Sequence, residues 1–175
     1  AASGLRALDE ARASDARRKA GRLLGSLDGI PVSLKDNIET AAPMHTTAGA
    51  EILLGNVAAQ DAPLVAQLRA KGAIILGKSN LSEFAGSITN MPIGGGSSAV
   101  GGQTGNPHGP YPTTGSSSGS AAGVAALLAM VSVGSETSGS LIAPASANGV
   151  VGMKPSRGRV DGSGVVPLVH PNDSP

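Results

Sequence analysis

The residues of this sequence with the clearest capacity for chemistry are serines in two glycine-containing loops, at 113–120 and 134–140. A serine hydroxyl is a weak nucleophile at neutral pH, so it needs a positioned base to remove its proton. The glycines allow tight turns and leave backbone N–H groups free to converge on an oxyanion. A flexible linker would have polar flanks, whereas the segment between these loops is apolar. We therefore expect each loop to supply one serine to a single active site.

The elements that must position the two loops are predicted from residue patterns. Ser118 or Ser120 can cap a helix rich in Ala, Val and Leu, and a short buried strand is expected to follow at 131–133. Near the N-terminus, the spacing of the leucines predicts a helix over 4–24. A further helix is predicted over 62–71, where the next residue is a glycine that can end it.

A strand is predicted at 29–38, because apolar and polar residues alternate there. Val32 and Leu34 lie on one face of this strand, and Lys35 lies on the other. The next side chain, Asp36, points away from Lys35 in an extended chain. Its carboxylate therefore need not keep the lysine charged.

The stretch 72–79 matches the phosphate-binding pattern G-x-x-x-x-G-K-[ST] at every position. That motif requires its four variable residues to form a loop, whereas here they are Ala, Ile, Ile and Leu, which are typical of a buried strand. We therefore predict a strand with a structural Lys78, and no nucleotide site. Asn80 and Glu83 are predicted to form a capping box for a short helix.

Length and composition are compatible with one domain. The 175 residues are 40% apolar, but there is one Phe, one Tyr and no Trp, so small aliphatic residues must form the core. The segment 86–112 is rich in Gly and Pro and is predicted to be a long irregular loop. Gln103 and Asn106 are candidates for fixing the shape of this loop by hydrogen bonds.

Charge and cysteine content exclude several functions. With 13 basic and 12 acidic residues, the net charge of +1 gives no electrostatic case for binding nucleic acid or an anionic membrane. Without cysteine, the chain cannot form disulfides, thiolate nucleophiles or zinc–cysteine sites, and His45 and His108 are isolated. The longest apolar run, 121–133, is too short to span a bilayer. We expect a soluble protein without a metal, and we favour the cytoplasm although composition does not fix the compartment.

Several ordered motifs resemble those of the amidase signature family. They are G-S-S-S-G-S-A-A at 115–122, G-S-E-T-S-G-S-L at 134–141 and N-G-V-V-G-M-K-P at 148–155. The resemblance runs from about Leu5 to the last residue. Glu136 and the run G-G-Q-T-G-N-P at 101–107 are most similar to the peptide amidase-like branch.

The resemblance implies a Ser-Ser-Lys triad for this chain. Ser140 matches the family's nucleophile, Ser116 its proton relay and Lys35 its general base. In the family the relay serine follows a cis peptide bond, which would here be Gly115–Ser116. Lys35 must be neutral to act as a base, and burial in a strand can lower its pKa enough.

The same resemblance places an oxyanion hole in the second loop. Its donors would be the backbone N–H groups of Thr137, Ser138 and Gly139, with that of Ser140 as a further candidate. This chain departs from the family pattern at Ser138, where glycine or aspartate is common. It also lacks an arginine at Ile142, which argues against the glutamyl-tRNA amidotransferase branch.

The resemblance further implies an α/β fold with a mixed β-sheet core covered by helices. The whole chain, 1–175, is then a partial amidase domain, with an N-terminal helix at 4–24 and a catalytic core at 29–167. Its last residues, 172–175, resemble the start of another family segment, so an N-terminal fragment is expected. The implied reaction converts linear amides or peptide C-terminal amides to acid and ammonia without a cofactor. The oligomeric state is open.

Two other interpretations stay open. The run 115–119 fits the G-x-S-x-G elbow of α/β-hydrolases, with Ser117, Asp161 and His170 in the chain order of a serine esterase. An elbow needs a hydrophobic strand directly before it, and 108–114 has no apolar run, so this interpretation is disfavoured. The chain could also be an inactive, truncated relative that acts as a binding module.

Overall fold

The computed structural model of the protein describes residues 2–86, 95–169 and 172–175, with side chains from residue 6 onward. In chain order, its helices and strands are α1 (Ala2–Lys19), β1 (Pro31–Lys35), α2 (Pro63–Ala70), β2 (Ile74–Ser79), β3 (Ser97–Ser98), β4 (Gly102–Gln103), α3 (Ser118–Ala125), β5 (Val131–Val133) and α4 (Ile142–Ala147). Short 3₁₀ helices lie at Glu51–Leu53 and Glu83–Gly86.

A parallel sheet with the strand order β2-β1-β5 forms the centre of the fold. Antiparallel pairing occurs between β3 and β4, and at single bridges that join Ile38 to Val165 and Glu136 to Ser174. Helix α3 packs against all three strands of the sheet, and α1 packs against β2. The expected α/β class with mixed strand pairing is therefore confirmed.

The core lies on one face of the central strand β1. Val32 and Leu34 point into it and pack with Ile75 of β2 and Val65 of α2. The alternation predicted for this strand is confirmed, because Lys35 is buried on the opposite side. Strand β5 is less buried than expected, since Val131 is exposed.

Helix α1 ends at Lys19 rather than at the expected residue 24. Gly21 adopts a left-handed conformation with φ of +66°. The N–H of Arg22 bonds to the C=O of Arg17 at 2.9 Å, and the N–H of Gly21 bonds to the C=O of Arg18 at 3.1 Å. These two bonds form a Schellman motif, which satisfies the last carbonyls and stops the helix.

The predicted capping box at Asn80 and Glu83 is wrong. The Asn80 amide instead donates to the C=O of Gly102 and to the Thr104 hydroxyl, both at 3.0 Å. The Glu83 carboxylate accepts from the N–H of Ala99 at 2.8 Å. Both side chains hold the loop that follows, which is a non-local role that a capping pattern cannot reveal.

The long loop has the internal supports that the sequence indicated. The Gln103 amide donates to the C=O of Gly95 at 2.9 Å, and the Asn106 amide donates to the C=O of Ala147 at 2.9 Å. These bonds confirm the two residues as anchors of the loop. A predicted strand in place of a phosphate loop is also confirmed, because Ile74–Ser79 is β2.

Asp28 joins the end of α1 to the turn between α2 and β2. Its carboxylate accepts two hydrogen bonds from Arg17, at 2.7 and 2.8 Å, and these bonds hold the pKa of Asp28 well below its usual range. A third bond comes from the N–H of Leu24 at 2.8 Å. Gly72 packs directly on Asp28, because a Cβ there would lie 2.6 Å from the Asp28 Cα.

We expect Gly72→Ala to destabilise the protein more than Gly21→Ala. Both glycines have positive φ, +88° and +66°, so alanine at either position costs about 1 to 2 kcal/mol of backbone strain. Only Gly72 adds a clash with backbone, since nothing lies within 4 Å of a Cβ at Gly21. Urea unfolding of the two variants measures the difference, and equal losses would contradict this packing.

Candidate active site

The candidate site lies at the carboxyl ends of the parallel strands, where open α/β sheets commonly carry their functional groups. Lys35 is the last residue of β1, and Ser135 follows β5 by two residues. Ser116 comes from the loop that precedes α3. Two loops and the central strand therefore meet at one point.

The amine of Lys35 is enclosed by oxygen atoms from these loops. Its Nζ lies 2.7 Å from the Oγ of Ser116, 2.9 Å from the Oγ of Ser135 and 3.1 Å from the C=O of Ser135. The side chain is 0% exposed. All three contacts are made inside the protein, without a path through bulk water.

Burial lowers the pKa of Lys35 to about 7, because the charged amine is removed from water. The carboxylates of Asp173 and Glu136 act in the opposite direction and raise it. A substantial fraction of Lys35 is therefore neutral at neutral pH. A neutral amine has a free electron pair and can accept a proton.

Asp36 does not contact Lys35, as the alternation of the strand predicted. Its carboxylate accepts from the hydroxyl and the N–H of Thr47 and pairs with Lys78 at 3.5 Å. Lys78 also donates to the Thr46 hydroxyl at 2.9 Å and to the C=O of Ile38. These contacts confirm that Lys78 is structural, although burial lowers its pKa.

Ser116 is held in a buried position by its backbone as well as by Lys35. The Gly115–Ser116 peptide bond is cis, which confirms the expectation from the sequence. The C=O of Ser116 accepts from the N–H of Ser82 at 3.0 Å. Its hydroxyl is thereby fixed beside the lysine.

Ser140 is tied to the first loop through its backbone. Its C=O accepts from the N–H of Ser117 at 2.9 Å, so it lies beside the residue that follows Ser116. The Ser140 side chain is near the protein surface compared with Ser116, since the two residues are 9% and 1% exposed. The structure therefore brings the three residues singled out from the sequence into one region.

Glu136 closes the loop that carries Ser140. Its carboxylate accepts from the N–H groups of Leu141 and Ile142 at 2.9 and 3.0 Å, at the start of α4. Burial acts to raise the pKa of Glu136, but these bonds and the N–H of Gly139 hold it below its usual value. The sequence marked Glu136 only as a feature of one family branch, and its role in the loop depends on the folded geometry.

Free backbone donors are present in the second loop. Within the described part of the chain, no group accepts a hydrogen bond from the N–H of Thr137, Ser138 or Ser140. The N–H of Gly139 faces the Glu136 carboxylate instead. The loop therefore offers three unpaired N–H groups around the Ser140 position.

Ser117 connects the two loops. Its hydroxyl donates to the C=O of Ser135 at 3.0 Å and accepts from the N–H of Ser135 at 3.2 Å. Ser117 is also the residue before α3, and no side chain caps that helix, so the predicted cap at Ser118 or Ser120 is wrong. Ser120 bonds instead to Ser79 of β2 at 2.8 Å.

The elbow arrangement is not supported by these contacts. Ser117 is buried with its hydroxyl engaged by the second loop, and Asp161 is exposed and accepts from the N–H of Ser163 at 2.9 Å. His170 lies outside the described residues. A nucleophile at Ser117 would first have to lose both bonds to Ser135.

Two residues of the site were missed from the sequence, Asn37 and Ser135. The Asn37 amide donates to the Ser135 hydroxyl at 2.9 Å, and both side chains are buried. Asn37 follows Lys35 by two positions, so the alternation of an extended chain could have placed it on the same face. No local pattern distinguishes Ser135 from the other serines of its loop.

Two classes of feature are absent from residues 2–86, 95–169 and 172–175. None of their helices is both long enough and apolar enough to cross a bilayer. The same residues contain no group of three His, Cys, Asp or Glu side chains that could bind a metal ion.

Comparison with known proteins identifies relatives over almost the whole chain. A family model described as Amidase matches residues 2–174. A probable amidase from Arabidopsis thaliana is 48% identical over 172 residues, which cover 96% of this chain and 33% of that protein. The glutamyl-tRNA(Gln) amidotransferase A-type chain from Symbiobacterium thermophilum is 48% identical over 161 residues, which cover 91% and 32%. The chain thus spans about a third of the length of these relatives.

The fold has a close counterpart among solved structures. The crystal structure of the peptide amidase PAM in complex with the competitive inhibitor chymostatin matches with a TM-score of 0.90 and 51% identity, over 96% of this chain and 34% of that one. The expected amidase signature fold is therefore confirmed. Since the family model, the curated relatives and this structure agree over nearly its full length, the chain belongs to the amidase family.

Proposed function

We propose that the protein that carries this chain hydrolyses amides to a carboxylic acid and ammonia through a Ser-Ser-Lys triad. The observation that carries this proposal is the buried contact of 2.7 Å between the Lys35 Nζ and the Ser116 Oγ. A lysine whose pKa is about 7 can exchange a proton with a serine there at neutral pH. The membership of the chain in the amidase family supports the reaction class.

In the proposed first step, the Ser140 hydroxyl attacks the amide carbonyl carbon. Ser140 gives its proton to Ser116, and Ser116 gives its own proton to neutral Lys35. The unpaired N–H groups of Thr137 and Ser138, with that of Ser140, stabilise the oxyanion of the tetrahedral intermediate. The N–H of Gly139 takes part only if it turns from Glu136.

In the proposed second step, the intermediate collapses and the carbon–nitrogen bond breaks. The leaving nitrogen takes a proton that returns from Lys35 through Ser116, and ammonia departs. A water molecule then attacks the acyl-Ser140 ester, with its proton moving to Lys35 by the same relay. The acid is released, and the proton returns to Ser140.

The proposed substrates are linear amides or peptide C-terminal amides. This choice rests on the similarity to the peptide amidase PAM, at 51% identity. The amidotransferase relative is as similar in sequence as the probable amidase, at 48% each. Identity alone therefore does not select the branch, and the choice depends on the Glu136 loop and on the missing arginine at Ile142.

Single substitutions test the triad. We expect Ser140→Ala and Lys35→Ala each to lower amide hydrolysis by about 10⁶-fold, because the members of a triad act as a unit. Ser116→Ala should lose less, about 10² to 10⁴-fold, because a water molecule can replace the relay hydroxyl. The measurements are amide hydrolysis and covalent labelling of Ser140 by a fluorophosphonate. Ser132→Ala and Lys71→Ala, outside the site, are matched controls.

The triad proposal would be overturned by one contrast. Activity that survives Lys35→Ala but disappears with His170→Ala would assign the chemistry to a histidine-dependent mechanism. Absence of any Ser140 labelling in the wild type would favour an inactive binding module.

A panel of substrates tests the proposed amide class. We expect ammonia release from peptide C-terminal amides and simple linear amides, and much slower cleavage of matched esters relative to their uncatalysed rates. The physical reason is that the relay must return a proton to a poor leaving group, which amides need more than esters do. Ester cleavage without ammonia release from any amide would defeat this assignment.

The neutral state of Lys35 can be tested through stability. Because its pKa is about 7 in the folded protein and about 10.4 when unfolded, the unfolded state binds more protons between these values. The free energy of unfolding therefore rises with pH in this window, by about 3 kcal/mol between pH 6 and 9. We expect Lys35→Met to lack this rise in urea unfolding.

The control for this measurement is Lys71→Met, which changes an exposed lysine at the end of α2. Its stability should follow the wild type at every pH. Parallel curves for wild type and Lys35→Met would show that Lys35 is not held neutral by the fold.

A further inference from the structure

The three oxygen neighbours of Lys35 outnumber the protons of a neutral amine. An ammonium group has three N–H donors, whereas the neutral amine has two and one electron pair. The C=O of Ser135, at 3.1 Å, can only accept. The remaining proton and the electron pair must therefore be divided between the hydroxyls of Ser135 and Ser116, at 2.9 and 2.7 Å.

Ser135 is held rigidly enough to decide this division. Its peptide group is bound on both sides by the Ser117 hydroxyl, at 3.0 and 3.2 Å. Its own hydroxyl accepts from the Asn37 amide at 2.9 Å, which fixes the side chain beside the lysine. Ser135 is 5% exposed, so no bulk water competes for these bonds.

We propose that Ser135 is a positioning residue, whose carbonyl and hydroxyl accept the two protons of neutral Lys35 and so direct its electron pair at the Ser116 hydroxyl. This inference rests on the proposed function, because the direction of the electron pair matters only if Lys35 removes a proton from Ser116. Two acceptors from one residue define the amine's orientation about the last carbon–carbon bond of the side chain. Without the hydroxyl, a second proton of the amine turns to Ser116 and blocks the transfer.

The charges around Lys35 do not change when Ser135 is substituted. Asp173 and Glu136 both act on the lysine and raise its pKa. Asp36 and Lys78 pair with each other on the other side of β1. A change in titration after substitution of Ser135 therefore reports the lost hydrogen bond.

The test is the pH profile of Ser140 labelling and of amide hydrolysis for Ser135→Ala. We expect the plateau rate to fall by about 10 to 100-fold, because the base is misdirected. We also expect the midpoint of the rise to move to lower pH, since the ammonium form loses one of its three acceptors and is destabilised. Ser135→Thr keeps the hydroxyl and should restore both the rate and the midpoint.

The matched control is Ser132→Ala, three residues earlier in the same segment. Its hydroxyl lies 2.7 Å from that of Ser33 and takes no part in the site. It should keep the wild-type profile. A Ser135→Ala midpoint that moves to higher pH would overturn the proposal, because it would mean that water enters or that the hydroxyl donated to the amine.

The proposal and the proposed function can fail separately. If Lys35→Ala abolishes labelling while Ser135→Ala behaves like Ser132→Ala, the triad stands and the role of Ser135 is overturned. If Ser140 is not labelled at all, NMR titration of the ¹⁵N-labelled Lys35 amine still tests the role of Ser135. A lower pKa in Ser135→Ala supports the hydrogen-bond assignment, and an unchanged or higher pKa overturns it.

Discussion

The site depends on the burial of one amine at the end of the central strand. A lysine without contact with water is strongly destabilised in its charged form, and its polar atoms must all find partners. Lys35 finds them in two loops that are about 80 and 100 residues away along the chain. The loops must therefore close over the strand for the lysine to be accommodated, so that folding and assembly of the site are the same event.

The protonation of this amine results from opposing effects. Burial alone favours the neutral form, and the carboxylates of Asp173 and Glu136 favour the charged form. Glu136 keeps its own charge because backbone N–H groups at the start of α4 bind it. The same carboxylate thus shapes the loop of Ser140 and limits how far the pKa of Lys35 falls. A base poised near neutral pH follows from this balance rather than from burial alone.

Local patterns predicted the parts of the structure that local forces determine. Alternation placed Lys35 on the face opposite Leu34, and branched residues identified β2 against the competing phosphate-loop motif. The capping box failed because Asn80 and Glu83 bind a distant loop instead of their own helix end. The helix boundary at Lys19 required recognition of a glycine in a Schellman motif, a signal that was present in the sequence.

The site itself shows where such reasoning stops. Three consecutive buried serines, Ser116, Ser117 and Ser118, are chemically identical, yet the first contacts Lys35, the second binds Ser135 and the third lies 3.3 Å from the Thr104 hydroxyl. Only the resemblance distinguished them in the sequence, because their roles depend on partners far along the chain.

The same contacts explain why the first serine and not the second is suited to relay a proton. The Ser117 hydroxyl both donates to and accepts from the Ser135 peptide, so it has no proton to give without breaking the link between the loops. The Ser116 hydroxyl has the lysine as its partner and keeps its proton available to it. A slip of one residue in this loop would exchange these roles, which makes the register of the loop, and not the number of serines in it, the requirement for chemistry.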